Sequence, residues 1–84
     1  MIYVYVLRSE TDSQLYTGCT RDLRARMALH HAGRVPSTKD RRPLKLIYYE
    51  ACWNEQDAFR REKYLKTTCG KRYIKIRCRN YFTG

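Results

Sequence analysis

The 84 residues suffice for one thin two-layer core and not for a second, so the chain reads as a single domain, 1–84, whose chemistry shares residues with its core. Eighteen Lys and Arg against eight Asp and Glu leave a formal net charge of +10; a small domain so loaded repels itself unless an anionic partner compensates, which makes nucleic acid the expected partner. No apolar run approaches the ~20 residues of a membrane span and no secretion-signal pattern precedes a cleavage site, which excludes a membrane protein and predicts a cytoplasmic one.

Residues 2–8, IYVYVLR, are rich in β-branched and aromatic side chains. The polar Thr11-Asp12-Ser13 separates them from a second run, QLYTGCT, and the pair predicts a β-hairpin. Period-two alternation sets Tyr3, Tyr5 and Leu7 on one face of the first strand, Ile2, Val4 and Val6 on the other, and Tyr16 with Gly18 on one face of the second. A helix carrying DLRARMALHHA follows, with Thr20 or Asp22 as its N-cap and Gly33 as its stop. RVPSTKDRRP holds both prolines and four cations, and reads as a basic loop, mobile without ligand. LKLIYYEAC predicts a third strand whose near-continuous apolar character points to a central, covered position. Asn54, with Asp57 three residues on, resembles a capping box opening a helix EQDAFRREKYLK that closes near Gly70, and KRYIKIRCRNY predicts a last helix. Cys19, Cys52, Cys69 and Cys78 show no C-x-x-C spacing and read as reduced thiols; with His30 or His31 they lack the paired spacing of a zinc site.

Projected at about 100° per residue, the two main helices carry polar groups inside their apolar stripes. In the second, Ala58, Phe59 and Leu65 define the buried face and Glu62 falls between them. A carboxylate there is costly unless a cation meets it. It is either a partly buried salt bridge to an arginine or a metal ligand or acid–base group, and position alone does not separate these. In the first helix Leu23 and Met27 mark the inward stripe, His30 lies on the same face and Arg26 flanks it. His30 is then a hydrogen-bonded core residue or a catalyst. His31 reads as solvated, and Arg21 and Arg24 as an exposed basic face able to track phosphates. Tyr48, Tyr49, Tyr64, Tyr73 and Tyr81 read as packing groups. Tyr3, Tyr5 and Tyr16 differ, because they share hairpin faces with Gly18, whose missing side chain leaves a gap for another backbone or a phosphate. Phenol, arginine, histidine and carboxylate together are what phosphodiester hydrolysis needs: a base for water, a cation for the developing charge and a ligand for a divalent metal.

The order of these residues resembles the GIY-YIG endonuclease family. Tyr3-Val4-Tyr5 stands for the first triplet, Tyr16-Thr17-Gly18 for the second, Arg26 and His30 for the helix positions, and Glu62 in FRREKYLK for the metal-binding glutamate. The likeness is closest to small stand-alone bacterial members with a Y-V-Y-x-L-R start, a T-x-x-R-R-P-like loop and an R-R-E-x-x-L-K helix. It implies an α+β fold, a small three-stranded antiparallel sheet flanked by helices in β-β-α-β-α-α order. It also implies a phosphodiesterase site of Tyr5, Tyr16, Arg26, His30 and Glu62, with one divalent metal, Mg2+ or Mn2+, on Glu62. Tyr5 or Tyr16 would help to activate water and Arg26 would steady the scissile phosphate. Two departures stand out: Tyr3 replaces the first glycine of G-I-Y, narrowing the cleft, and Thr17 replaces the isoleucine of Y-I-G. Of the late asparagine some members use, Asn80 is the counterpart here.

The expected function is metal-dependent hydrolysis of DNA, with Arg21, Arg24, Lys39, Arg41 and Arg42 contacting the nucleic-acid backbone. Larger family nucleases attach separate DNA-binding domains, so substrate choice here falls to the domain's own basic surface or to a partner, or is hardly made at all. RNA, a protein partner and a homodimer stay open. The competing readings are a non-catalytic nucleic-acid-binding module on the same scaffold and a structural domain that neutralises phosphate. Glu62 favours the enzyme, because simple binding would place a lysine in that stripe.

Overall fold

The computed structural model describes residues 1–84. In chain order the elements are β1 (Ile2–Ser9), β2 (Leu15–Thr20), α1 (Leu23–His31), a 3-10 turn at Lys39–Arg41, β3 (Leu44–Cys52), α2 (Glu55–Leu65), α3 (Thr68–Arg77) and α4 (Arg79–Thr83). The three strands form one antiparallel sheet in the order β2-β1-β3, and the α+β architecture is as expected. The hairpin turns where Asp12 Oδ1 accepts the Gln14 N–H at 2.9 Å and Ser13 takes φ 62°, a side chain adding to the backbone bonds from Ser9 N–H to Gln14 O and from Ser13 N–H to Ser9 O, each 2.9 Å.

Alternation along β1 divides the molecule into two cores. Ile2, Val4 and Val6 pack with Ala58 and Leu65 of α2 and Ile74 of α3. Tyr5 and Leu7 pack on the other face with Met27 of α1 and Leu44 of β3. Both faces of β1 are therefore covered, and β1 is the central strand. β3 was expected there and lies at the edge instead. Its unbroken apolar run has a local cause: the register shifts between Val6 and Leu7, so that Val6 faces Tyr48 while Leu7 faces Leu46. Ile47 is the extra residue of this β-bulge, and it joins Tyr48 against the α2–α3 core.

Helix ends follow their caps. The Asp22 carboxylate accepts the Ala25 N–H at 3.0 Å and opens α1, which stops before Gly33 at φ 75°. The Arg42 guanidinium lies against Gly33, donating from Nε to Lys39 O at 2.9 Å and from Nη1 to His31 O at 3.4 Å. Asn54 Oδ1 accepts from Gln56 and Asp57 N–H at the start of α2, although Asp57 turns to Arg60 rather than back to the cap. Three expectations are corrected here. α2 ends at Leu65, and Gly70 sits inside α3 rather than stopping a helix. Thr67 makes the break, accepting the Gly70 N–H at 3.1 Å and donating to Tyr64 O at 2.6 Å. The last helical stretch is divided into α3 and α4 at Cys78. Phe59 is 50% exposed, so Ala58 and Leu65 alone define the buried stripe of α2. No helix is long and apolar enough to cross a membrane.

Candidate active site

Register places Tyr5 directly opposite Gly18 in the β1–β2 pair. The Tyr5 ring lies across that glycine, where a Cβ would strike the phenol. The gap foreseen at Gly18 is therefore filled by the protein's own tyrosine, not left open for a phosphate. α1 crosses the same face, held by Met27, and its i and i+4 residues Arg26 and His30 both reach Tyr5. The Tyr5 hydroxyl is 2.9 Å from His30 Nε2 and accepts from Arg26 Nε at 3.4 Å. The Tyr16 ring stands edge-on to His30, centroids 5.4 Å apart, and tilted to Tyr5 at 6.5 Å. Four of the five residues foreseen for chemistry thus converge.

A fifth partner escaped sequence reasoning. Thr38 Oγ1 lies 2.7 Å from His30 Nδ1, with both residues fully buried. The only sequence signal was its place as the threonine of the T-x-x-R-R-P-like loop, since a loop residue carries no periodicity that assigns it a partner. With Tyr5 on one ring nitrogen and Thr38 on the other, His30 is fully satisfied. It is a bonded core histidine and a neighbour of the phenol at once.

The charge states follow from burial. Desolvation raises the Tyr5 phenol above its ordinary pKa against the opposing pull of the Arg26 hydrogen bond. The same hydrogen bond raises Arg26 and keeps it charged. Burial, with the charges of Arg26 and His31 adding to it, lowers His30 to about 4. At neutral pH the cluster is a neutral phenol against a neutral imidazole beside one fixed guanidinium.

Glu62 stands apart from this hydrogen-bonded set. Its partner is Lys66, at 3.2 Å on the next turn, and not an arginine as the salt-bridge reading had it. The part-buried arginine–carboxylate bridge of α2 is one residue earlier: Arg61 donates to both oxygens of Glu50 at 2.9 and 2.7 Å and lies over the Tyr73 ring at 4.7 Å. Glu62 is nonetheless near enough for its charge to contribute to raising Tyr5 and Cys19. No three His, Cys, Asp or Glu side chains gather into a metal cage. One carboxylate, 22% exposed and within electrostatic reach of the Tyr5 phenol, suits a hard dication that keeps its waters and takes further ligands from substrate phosphate.

The five cations foreseen for backbone contact divide. Arg21 is paired with Glu55 at 2.6 Å, Arg41 with Asp12 at 3.6 Å, and Arg42 caps α1. Arg24 and Lys39 are exposed and make no ion pair. The basic loop is tied to the hairpin by Ser9 Oγ to Arg41 O at 2.6 Å, Thr11 Oγ1 to Arg42 O at 2.7 Å and Glu10 N to Pro43 O at 2.9 Å. It is a pinned segment, where a free one was expected.

A family model described as the GIY-YIG catalytic domain matches residues 1–75. The chain belongs to the GIY-YIG family. That family is one of nucleases that generally use a divalent metal. Similar proteins include a UPF0213 protein of Staphylococcus haemolyticus, 40% identical over 75 residues, covering 88% of this chain and 90% of the relative. A UPF0213 protein of Clostridium perfringens is 42% identical over 67 residues, 79% of this chain and 71% of the relative. One of Pediococcus acidilactici is 40% identical over 79 residues, 87% of this chain and 76% of the relative. No solved structure matches this GIY-YIG chain significantly.

Proposed function

We propose that this GIY-YIG protein is a metal-dependent endonuclease that hydrolyses phosphodiester bonds in DNA, with residues 1–84 acting as one domain. The observation that carries the reading is the Tyr5–His30 hydrogen bond at 2.9 Å with Arg26 beside it. A proton carrier, an acceptor and a fixed cation are brought together on the sheet face opposite the larger apolar core.

Arg26 is a donor only, so the phenol oxygen accepts from it and the phenol proton is free to go to His30 Nε2. The imidazole proton then sits on Nδ1 toward Thr38. In this arrangement Tyr5 takes a proton from the attacking water as its own passes to His30. The raised phenol pKa makes Tyr5 a relay rather than a standing phenolate. Arg26 stabilises the negative charge that develops on the phenol oxygen and on the scissile phosphate. Tyr16 walls the imidazole from the β2 side. Glu62 would hold the divalent ion, Mg2+ or Mn2+, which when bound neutralises charge on the phosphate and leaving oxygens.

The test sets the parent beside Glu62→Gln on branched, nicked and linear DNA, with magnesium or manganese and with chelator. The parent should cleave only with metal. The variant should bind DNA at least as well, because an anion has left the cleft, and lose cleavage by roughly hundredfold or more. Its stability should change by less than about 1 kcal/mol, since the lost partner is a Lys66 side chain 55% exposed to solvent. Cleavage by Glu62→Gln at the parent's rate would remove Glu62 from the site. A parent that binds every substrate and cuts none would leave the binding-module reading.

A further inference from the structure

On the β3 side of α1, a cleft of about 580 Å³ opens between the first turn of α1 and the outer strand. Its walls include Tyr3, Tyr49, Leu46 and Met27, and Arg24 stands on its rim. Tyr49 sits within β3 directly across from Tyr5, yet 53% of it is exposed, which departs from the packing role foreseen for it. The Tyr3 ring props it edge-on, with centroids 6.0 Å apart and planes at 62°. Two aromatic groups held in this way are a rigid face rather than a mobile side chain.

The cations of the rim are unequal. Arg21 is held by Glu55 at 2.6 Å, and the Asp22 carboxylate is committed to the Ala25 N–H. Arg24 is exposed, makes no ion pair although Asp22 lines the same cleft, and is the charge available to a ligand. A cleft within the size range of small-ligand sites, with an aromatic face and a free guanidinium, suits a flat ring attached to an anion. On a protein of net charge +10, that ligand is a nucleotide. A duplex buries its base faces in the stack, whereas an unpaired base offers them.

We propose that this cleft seats an unpaired base of single-stranded DNA, stacked on Tyr49 with its phosphate on Arg24. The substrate of the Tyr5–His30 site then carries a single-stranded segment next to the cut. Tyr3 stands where the resembled G-I-Y motif has glycine, so the aromatic wall goes with the Y-V-Y start and not with the G-I-Y triplet. The inference rests on the nuclease reading for any cleavage after binding, but binding is measurable without cleavage.

The experiment is a fluorescence-anisotropy titration in chelator with labelled oligothymidylate and with a blunt duplex of equal length. Tyr49→Ala should weaken oligothymidylate binding about tenfold and leave the duplex within about twofold, while Tyr49→Phe, which keeps the ring face, binds like the parent. Arg24→Gln, at an exposed helix position, should flatten the salt dependence for oligothymidylate by about 0.7 of a log unit per log unit of salt. Full retention of oligothymidylate affinity in Tyr49→Ala, equal losses on both ligands, or an unchanged slope in Arg24→Gln would each overturn the proposal. Cleavage by the parent with metal is scored separately. A protein that binds single strands through Tyr49 and cuts nothing keeps this site and loses the nuclease assignment.

Discussion

Thr38 decides more than its place in a loop suggests. Its hydroxyl holds Nδ1 of a fully buried imidazole at 2.7 Å. Thr38→Val keeps the shape and removes the oxygen, leaving a buried ring nitrogen without a partner. Urea denaturation should show a loss of about 1–3 kcal/mol. On the proposed relay kcat should fall further than KM rises, and Thr38→Ser should restore both. His30 adds a pH signature. In the fold it titrates at about 4, against an ordinary 6.5, so below 6.5 the unfolded chain takes up a proton that the folded one refuses. Stability from this group is complete above pH 6.5 and declines as pH falls toward 4, by on the order of 3 kcal/mol in all. Urea midpoints at about pH 7.5 and about pH 5 should differ in the parent and converge in His30→Gln. Gly18→Ala places a methyl group against the phenol. It should displace Tyr5 from His30, abolish most cleavage and shift the His30 titration seen by NMR.

At the scale of elements, the caps and the hairpin turn were legible because both are local: Asp22, Asn54 and Asp12 act on backbone groups two or three residues away. The position of β3 was not. Its apolar run depends on a bulge whose register is set by β1, residues distant in the chain. Gly70 misled for a similar reason. Glycine often ends a helix, but here its missing side chain lets α3 pass against the Leu65 backbone of α2. Gly70→Ala should therefore overpack that crossing and cost about 1–3 kcal/mol, readable as a lower melting temperature without loss of helix content. Among the residues foreseen for chemistry, Tyr5, Tyr16, Arg26 and His30 could be grouped from strand and helix periods alone. Thr38 could not, and the Arg61–Glu50 bridge took the role that the stripe had suggested for Glu62.

Taken whole, the molecule assigns different work to the two sides of β1. The larger core, under α2 and α3, is apolar, whereas the smaller one, under α1, includes a phenol and adjoins a histidine. The net charge of +10 surrounds both, and affinity for DNA should fall steeply as salt rises, through counterion release at phosphate contacts. A salt slope near zero in a binding titration would remove nucleic acid as the partner.

That division also has a consequence for motion. α1 has only Met27 and His30 buried, and Leu29 on the same helix is 42% exposed. With Met27, the part-buried Leu23 and the Arg26 hydrogen bond, the histidine of the proposed relay is therefore one of the few groups that fasten the helix to the sheet. Amide protons of α1 should exchange through a partial opening that leaves β1, α2 and α3 closed, and β1 amides only through global unfolding. Acid should widen that gap, because a proton on His30 favours the lifted helix. A nuclease working through this relay would then fall silent in acid while most of its fold is still intact, and regain activity on neutralisation without having to refold.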